Sequence, residues 1–399
     1  MITITNPEVL GLSRTRLARI DAHMQRYVDD GKLAGIVTLI ARRGQIAQIG
    51  CAGAQTVEEQ QPMQPDSLFR IHSMTKPITS VAAMLLVEEG RLLLQDPVAK
   101  YISSFHEVQV GEVQQNGDLR LVKPARPMKI HDLFLHTAGL SYGYVNDAPV
   151  EAAYRASNWR AAATMAERVA AISALPLAHH PGTAWQYGVS TDILGHVVEL
   201  ITGMSLADFF QERIFDPLGM HDTAFGVPPE KLQRFTALYE PNPAGGICLA
   251  DAPATSQYTK PPRLFSGGSG LVSTAPDYFR FAQMLLQGGE LDGAQVLGRK
   301  SVEFMSMNHL PATLLPMRLG GDTMPGYGFG LGFSVVLDPA RYGVLSSVGT
   351  LGWSGTATTA FWIDPQEALI GILMTQFTPS YTYPLSKQFK NLVNQALVS

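Results

Sequence analysis

The chain has 399 residues, 46% of them hydrophobic and 16% charged, with 37 Gly, 26 Pro and a net charge of −4. That composition belongs to a globular protein long enough for two sizeable cores, and it excludes a fibrous or disordered chain. No block of Lys or Arg stands out, which speaks against nucleic acid or an anionic membrane surface as a partner.

The opening stretch, MITITNPEVLG, has no basic segment followed by an apolar one, so no secretory signal is read there. No apolar run reaches the roughly 18 residues that a bilayer span needs. Cys51 and Cys248 lie far apart without metal-ligand spacing and are expected as reduced thiols, with a cytoplasmic location as the default. Ser13 reads as an N-cap, with Leu17, Ile20, Met24, Tyr27 and Val28 on one helical face and Gly31 as the stop. GIVTLIA (35–41) and QIAQIGCAG (45–53) are β-rich and joined by Arg42-Arg43-Gly44, which predicts an antiparallel hairpin. A helix follows from about Ser73 to Gly90, apolar nearly all round, as expected for one buried between two layers.

Residues 95–260 read as mostly helical with Pro-rich connections. Asp96-Pro97 gives an N-cap with Pro at the first helical position. Ile193, Leu194, Val197, Val198 and Ile201 line a helix stopping at Gly203, and Ser205 caps LADFFQERIF ahead of the turn DPLGM. Strand patterns return at 327–336, 343–355, 356–364 and 368–376, with a hairpin turn at Asp364-Pro365-Gln366-Glu367, and an amphipathic helix, PLSKQFKNLVNQALV, follows. Strands at both ends around a helical middle predict an α/β lobe, an antiparallel sheet with flanking helices, built from residues 1–94 and 261–399. An all-helical domain (95–260) is inserted into it, and the active site is expected at the interface.

The chemistry starts at RIHSMTKPITS (70–80), where Ser73 precedes Lys76 by three residues. On a helix those side chains face the same way, and the first turn offers unpaired N–H groups and a dipole that favours developing negative charge. Pro77 is tolerated only if the helix begins here. A serine that merely caps a core helix would look the same. For Lys76 to act as a base it must lose its proton, and bringing it from about 10.4 to near 7 takes roughly 4 kcal/mol of burial and like-charge influence. A tyrosine could share that task, and Tyr187 in HHPGTAWQYGVSTDILGHVV (179–198) lies in a turn just ahead of a helix. Packing at a helix entrance is its plainer reading. In GTLGWSGTATT (349–359), glycines within a strand let backbone or ligand approach, so the Thr356 N–H could stand opposite that of Ser73 as an oxyanion hole.

In this order the segments resemble the serine β-lactamase and penicillin-recognising fold, over nearly the whole chain. The likeness is closest to class C β-lactamases and the carboxylesterases that share their fold (family VIII esterases). SLFRIHSMTKPITS resembles the nucleophile segment, HDLFLHTAGL (131–140) the LLTHTSGL stretch, PGTAWQYGVSTDILG the tyrosine segment, and SGGSGLVST (266–274) a further shared turn. The resemblance implies that Ser73 is acylated and that Lys76 and Tyr187 activate it, with the identity of the base left open. It implies that Trp353-Ser354-Gly355 replaces the K-T-G triplet and that the Thr356 N–H completes the oxyanion hole. Two departures stand out: Val189 replaces the asparagine of Y-x-N, and Trp353 replaces the K-T-G lysine. Losing an amide donor and a cation favours a neutral, apolar acyl group over an anionic antibiotic.

Other readings are weaker. A G-x-S-x-G occurs at GLSYG (139–143), but it follows no strand pattern, so an α/β-hydrolase elbow is unsupported. His179-His180 and the HDLFLH pair lack carboxylate or thiol partners at ligand spacing. Tyr142, Tyr144, Trp159 and Trp185 could line an acyl pocket or simply pack. The expectation is a serine carboxylesterase acting on short- to medium-chain acyl esters through an acyl-enzyme, without metal or organic cofactor. A small-molecule ester is its partner, and the oligomeric state is left open. A lactamase, D-amino-acid peptidase, amidase or acyltransferase on the same residues is the alternative, and a non-catalytic binding protein the remotest one.

Overall fold

The computed structural model describes residues 3–144, 148–319 and 322–399. Met1 and Ile2, which begin the stretch read for a signal, lie outside the described residues. Helix α1 (Arg14–Asp29) starts where Ser13 accepts the Arg16 N–H, and buries the expected Leu17, Ile20, Met24 and Tyr27. Strands β1 (Gly35–Arg42) and β2 (Gln45–Thr56) pair antiparallel. They turn through Arg43 and Gly44 at φ of 51° and 80°, the pair of left-handed residues that a two-residue hairpin twisting with its strands requires.

The main sheet joins both ends of the chain. It comprises β1, β2, β3 (Gln61–Pro62), β4 (Tyr327–Phe329), β5 (Ser334–Val336), β6 (Leu351–Gly355), β7 (Thr359–Asp364) and β8 (Leu369–Thr375). Among the described residues its order is β4-β5-β6-β7-β8-β1-β2-β3, with every neighbouring pair antiparallel. The central strands β1 and β8 are buried at every position, because layers cover both faces. Ile36, Ile40, Trp362 and Leu373 face α1 and the C-terminal helix α5 (Leu385–Asn394). Val37, Leu39, Phe361 and Ile372 face inward. Against them pack α2 (Thr75–Glu88) and α4 (Ala275–Leu286), and the same buried cluster continues into the helical segment through Leu133, Phe134, Ile193, Val197 and Phe209. Within that segment α3 (Ser190–Thr202) ends at Gly203 in the left-handed conformation, as expected.

Four local expectations change. The helix expected at Asp96-Pro97 is a single 3-10 turn, Val98–Lys100, because the Asp96 carboxylate is taken by Leu93 N–H, Lys100 and Tyr101. The run 327–336 is two strands, since Gly330 to Gly332 fold back into a hairpin. The run 343–355 is extended only from Leu351, after a short helix at Pro339–Tyr342. The helical segment also carries two hairpins, Val110–Val113 with Leu119–Val122 and Leu238–Pro241 with Ile247–Asp251. Among the described residues no single helix is long and apolar enough to cross a membrane.

Candidate active site

The nucleophile segment enters a 3-10 turn, His72–Met74, before α2 begins at Thr75. Pro77 is thus the third residue of α2, where its missing N–H falls among donors that have no helical acceptor anyway. Lys76 and everything from Ile78 to Leu86 on this helix are buried. Its ammonium therefore cannot reach bulk water, and the surroundings supply neutral acceptors in place of a carboxylate. Nζ donates to the Gly268 carbonyl at 2.7 Å and to Ser73 Oγ and Tyr142 Oη at 3.1 Å each. Burial pushes Lys76 down to about 7, opposed by the more distant Asp192 carboxylate. Desolvation of this kind is what a lysine acting as a base would need.

Tyr187 arrives from the other side. Its phenol is near enough to the Ser73 hydroxyl for that group to lower its proton affinity. Trp353 Nε1 donates to Tyr187 Oη at 3.3 Å, and Lys76 Nζ lies 4.7 Å from the ring centroid. Burial drives the phenol far above its ordinary value, with the nearby Ser73 hydroxyl and the Trp353 N–H pulling the other way, so Tyr187 is neutral at neutral pH. The HTAGL stretch holds this tyrosine turn in place. The His136 carbonyl accepts Gln186 N–H at 2.8 Å, its Nδ1 accepts Gly188 N–H at 3.3 Å, and its ring lies 4.7 Å from that of Tyr187. Burial and the nearby Lys76 keep His136 uncharged.

Strand β6 completes the arrangement. A Cβ on Gly355 would meet the Ile71 carbonyl oxygen at 2.4 Å, so glycine alone lets the strand end lie against the chain two residues before Ser73. Thr359 Oγ1 donates to the same carbonyl at 3.4 Å. Thr356 follows in the turn after β6, exposed. Its carbonyl accepts Ser380 N–H at 3.1 Å, while its own N–H has no partner among the described residues. Ser354 Oγ lies 3.0 Å from Tyr381 Oη, and the Tyr381 side chain is exposed.

The structure thus gathers Ser73, Lys76, Tyr187, Tyr142 and the 353–356 strand end in one place. One expectation shifts. Val189 is fully buried where α3 begins, so it has no surface to offer a ligand and serves the core instead. Trp353 donates its indole N–H to Tyr187. Sequence reasoning missed Asp192 and the role of Gly268. Asp192 is buried in the first turn of α3, where it accepts from Ser266 Oγ and from Gly268 N–H at 3.3 Å, fixing the carbonyl on which Lys76 rests. A carboxylate just ahead of the apolar run Ile193, Leu194 was the available signal. Among the described residues no three His, Cys, Asp or Glu side chains converge as a metal site. His131 Nε2 instead lies 3.3 Å from His309 Nδ1, and His179 Nδ1 2.9 Å from the His180 carbonyl.

Comparison with known proteins gives the family and the fold. The protein Rv1367c of Mycobacterium tuberculosis is 36% identical over 90% of this chain and 89% of its own length. Esterase EstB of Burkholderia gladioli is 30% identical over 93% of each chain. Simvastatin synthase (LovD) of Aspergillus terreus superposes with a TM-score of 0.81 at 24% identity, covering 95% of this chain and 98% of that one, and so shares the fold. Because the beta-lactamase family model also matches residues 20–388, almost the entire length that carries the sheet, the nucleophile helix and the tyrosine turn, the chain belongs to the beta-lactamase family and is a serine hydrolase of that family.

Proposed function

We propose that the protein is a carboxylesterase that hydrolyses short- to medium-chain acyl esters through an acyl-enzyme on Ser73. The carrying observation is the 3.1 Å contact between Ser73 Oγ and a Lys76 amine that burial brings to about 7. Such an amine is half unprotonated near neutral pH and can accept the serine proton. Tyr187, held neutral, is suited to donate rather than accept. In this reading Lys76 takes the Ser73 proton as Oγ attacks the ester carbonyl. The oxyanion rests on the N–H groups of Ser73 and Thr356. As the C–O bond breaks, Tyr187 gives its proton to the leaving alkoxide and regains one from Lys76. Water then adds to the acyl carbonyl, its proton passes through the same pair to the Ser73 oxygen, and the acid departs.

Residues 1–94 with 261–399 would supply the nucleophile helix and strand end, and 95–260 the tyrosine. Ser354 and Gly355 at the strand end and Tyr142 beside Lys76 would border the acyl group. Tryptophan at 353 and valine at 189, in place of a cation and an amide, support an ester over a β-lactam. The test is parallel turnover of a chromogenic butyrate ester and a chromogenic cephalosporin, with mass spectrometry of the trapped enzyme. Ester turnover with an acyl adduct on Ser73 is expected. Cephalosporin cleavage at the ester rate, or an adduct elsewhere, would overturn the reading.

A further inference from the structure

Tyr142 connects Lys76 to a cluster that the mechanism above does not use. Its ring stacks on Tyr144 with centroids 5.4 Å apart and planes 2° from parallel, and lies 6.5 Å from Trp159. Trp159 is buried, yet two guanidinium groups sit over its ring, Arg160 at 4.2 Å and Arg168 at 5.7 Å from the centroid. Arg160 Nη2 donates to the Tyr142 carbonyl, and Arg168 Nη2 to the Arg160 carbonyl at 3.2 Å. Among the described residues neither guanidinium meets a carboxylate at ion-pair distance, and the buried Arg168 Nε has no acceptor.

That arrangement is unusual for a structural pair. Arginines elsewhere in this chain that are held as rigidly have an acid: Arg70 has Asp251, Arg126 has Asp132, Arg234 has Asp222. Here two like charges share one indole, repel each other, and leave a desolvated donor unused. Both charges act on the Tyr142 phenol, which itself accepts from Lys76. One tyrosine therefore separates the nucleophile's lysine from a planar, fork-shaped cationic surface of the kind that matches a carboxylate with two parallel hydrogen bonds.

We propose that Arg160, with Arg168 behind it, is an anion subsite of the active site, and that the preferred substrates are esters carrying a free carboxylate away from the scissile bond. This rests on the ester-hydrolase reading. The cation that the K-T-G lysine would have supplied on β6 is replaced by one on the opposite, helical side of Ser73, so the anion is accepted from a different direction. The neutral acyl wall at Trp353 is untouched by this.

The test compares three chromogenic or assayable esters: a nitrophenyl butyrate, a mono-nitrophenyl ester of glutaric acid with the carboxylate on the acyl half, and a carboxyphenyl butyrate with it on the alcohol half. In Arg160→Gln the ratio of kcat/KM for a carboxylate ester over the neutral ester should fall about tenfold, through KM, and further in the Arg160→Gln/Arg168→Gln double variant. The wild-type ratio should also fall as salt rises. Loss in the glutarate arm places the carboxylate on the acyl half, and loss in the carboxyphenyl arm on the alcohol half. Unchanged ratios in both arms would overturn the subsite while leaving ester hydrolysis intact. Failure of wild-type enzyme to turn over the neutral ester would take down the hydrolase reading and the subsite with it. Arg160 is exposed, so its single variant is readable even if loss of Arg168 impairs folding.

Discussion

Among the described residues two lysines are buried, one on each side of the sheet. Lys76 lies inside the α2 layer and Lys390 on α5 against the outer face. Burial pushes both down, to about 7 and about 8, and in both a carboxylate opposes the shift: Asp192 for the first, Asp364 for the second. Their neighbours differ. Lys390 Nζ lies 5.2 Å from the Tyr342 ring centroid and 5.6 Å from that of Trp362, a cation among aromatic faces. Lys76 shares some of that character, but its nitrogen is also 3.1 Å from a serine oxygen at a helix entrance, with a tyrosine and a strand end beside it. Desolvation makes an amine available as a base, and an aligned hydroxyl gives it a proton to take.

The largest effects should come from breaking the Lys76 side of the pair. Ser73→Ala and Lys76→Met should each lower ester turnover by about 10³-fold or more, measured as kcat. The same Lys76→Met should raise stability. A folded-state value below the unfolded one means that between pH about 7 and about 10.4 the unfolded chain binds the extra proton, so stability rises with pH across that window. At pH 7 and below, the penalty is near its full size of about 4 kcal/mol, and removing the amine should recover about 2–4 kcal/mol in denaturant unfolding. A Lys76→Met protein that is inactive but no more stable would show that the lysine is not desolvated.

Next in size is Gly355→Ala. Its methyl would press on the Ile71 carbonyl, so the strand end must retreat from Ser73. Turnover should fall about 10–100-fold, with about 1–3 kcal/mol lost in stability. Full activity in that variant would mean the strand end takes no part. The pH–rate profile gives a finer test. Because Lys76 must be neutral, kcat/KM should fall about tenfold per unit below pH about 7 and level off above it. An acid limb displaced by more than about one unit would reassign the base. Smallest is Lys390→Met, which should leave that profile and the turnover in place while adding about 1–2 kcal/mol of stability. A change in kcat there would couple the outer face to the site and dissolve the contrast between the two lysines.

The two lysines also show where sequence was readable. Lys76 drew notice through its spacing from Ser73 and through Pro77 behind it, so the two side chains that the structure places 3.1 Å apart were singled out together. Lys390 belongs to an amphipathic helix in which a charged residue reads as solvent-facing, and only the packing of α5 on Trp362 reveals that it is buried. The same division runs through the site. Tyr187 and the glycine-bearing strand carried recognisable local patterns. Asp192, the Gly268 carbonyl and the His136 clamp act through contacts between segments tens of residues apart, and nothing in their own neighbourhoods announces a partner. Val189 was placed on the substrate side because position in a motif says where a residue sits along the chain, not which way its side chain turns.

Sequence by itself determined the elements and the chemistry. Periodicity and caps laid out α1, α2, α3 and the individual strands, because those depend on contacts within a few residues. Serine, lysine and tyrosine in that order, with the stretches around them, carried the resemblance to the beta-lactamase family. Tertiary structure decided what each group is worth: that Lys76 loses its water, that Tyr187 stays protonated, that Trp353 serves the tyrosine. These are properties of a dry, low-dielectric space enclosed by distant segments, and the energy of a charge depends on everything around it rather than on its neighbours in the chain.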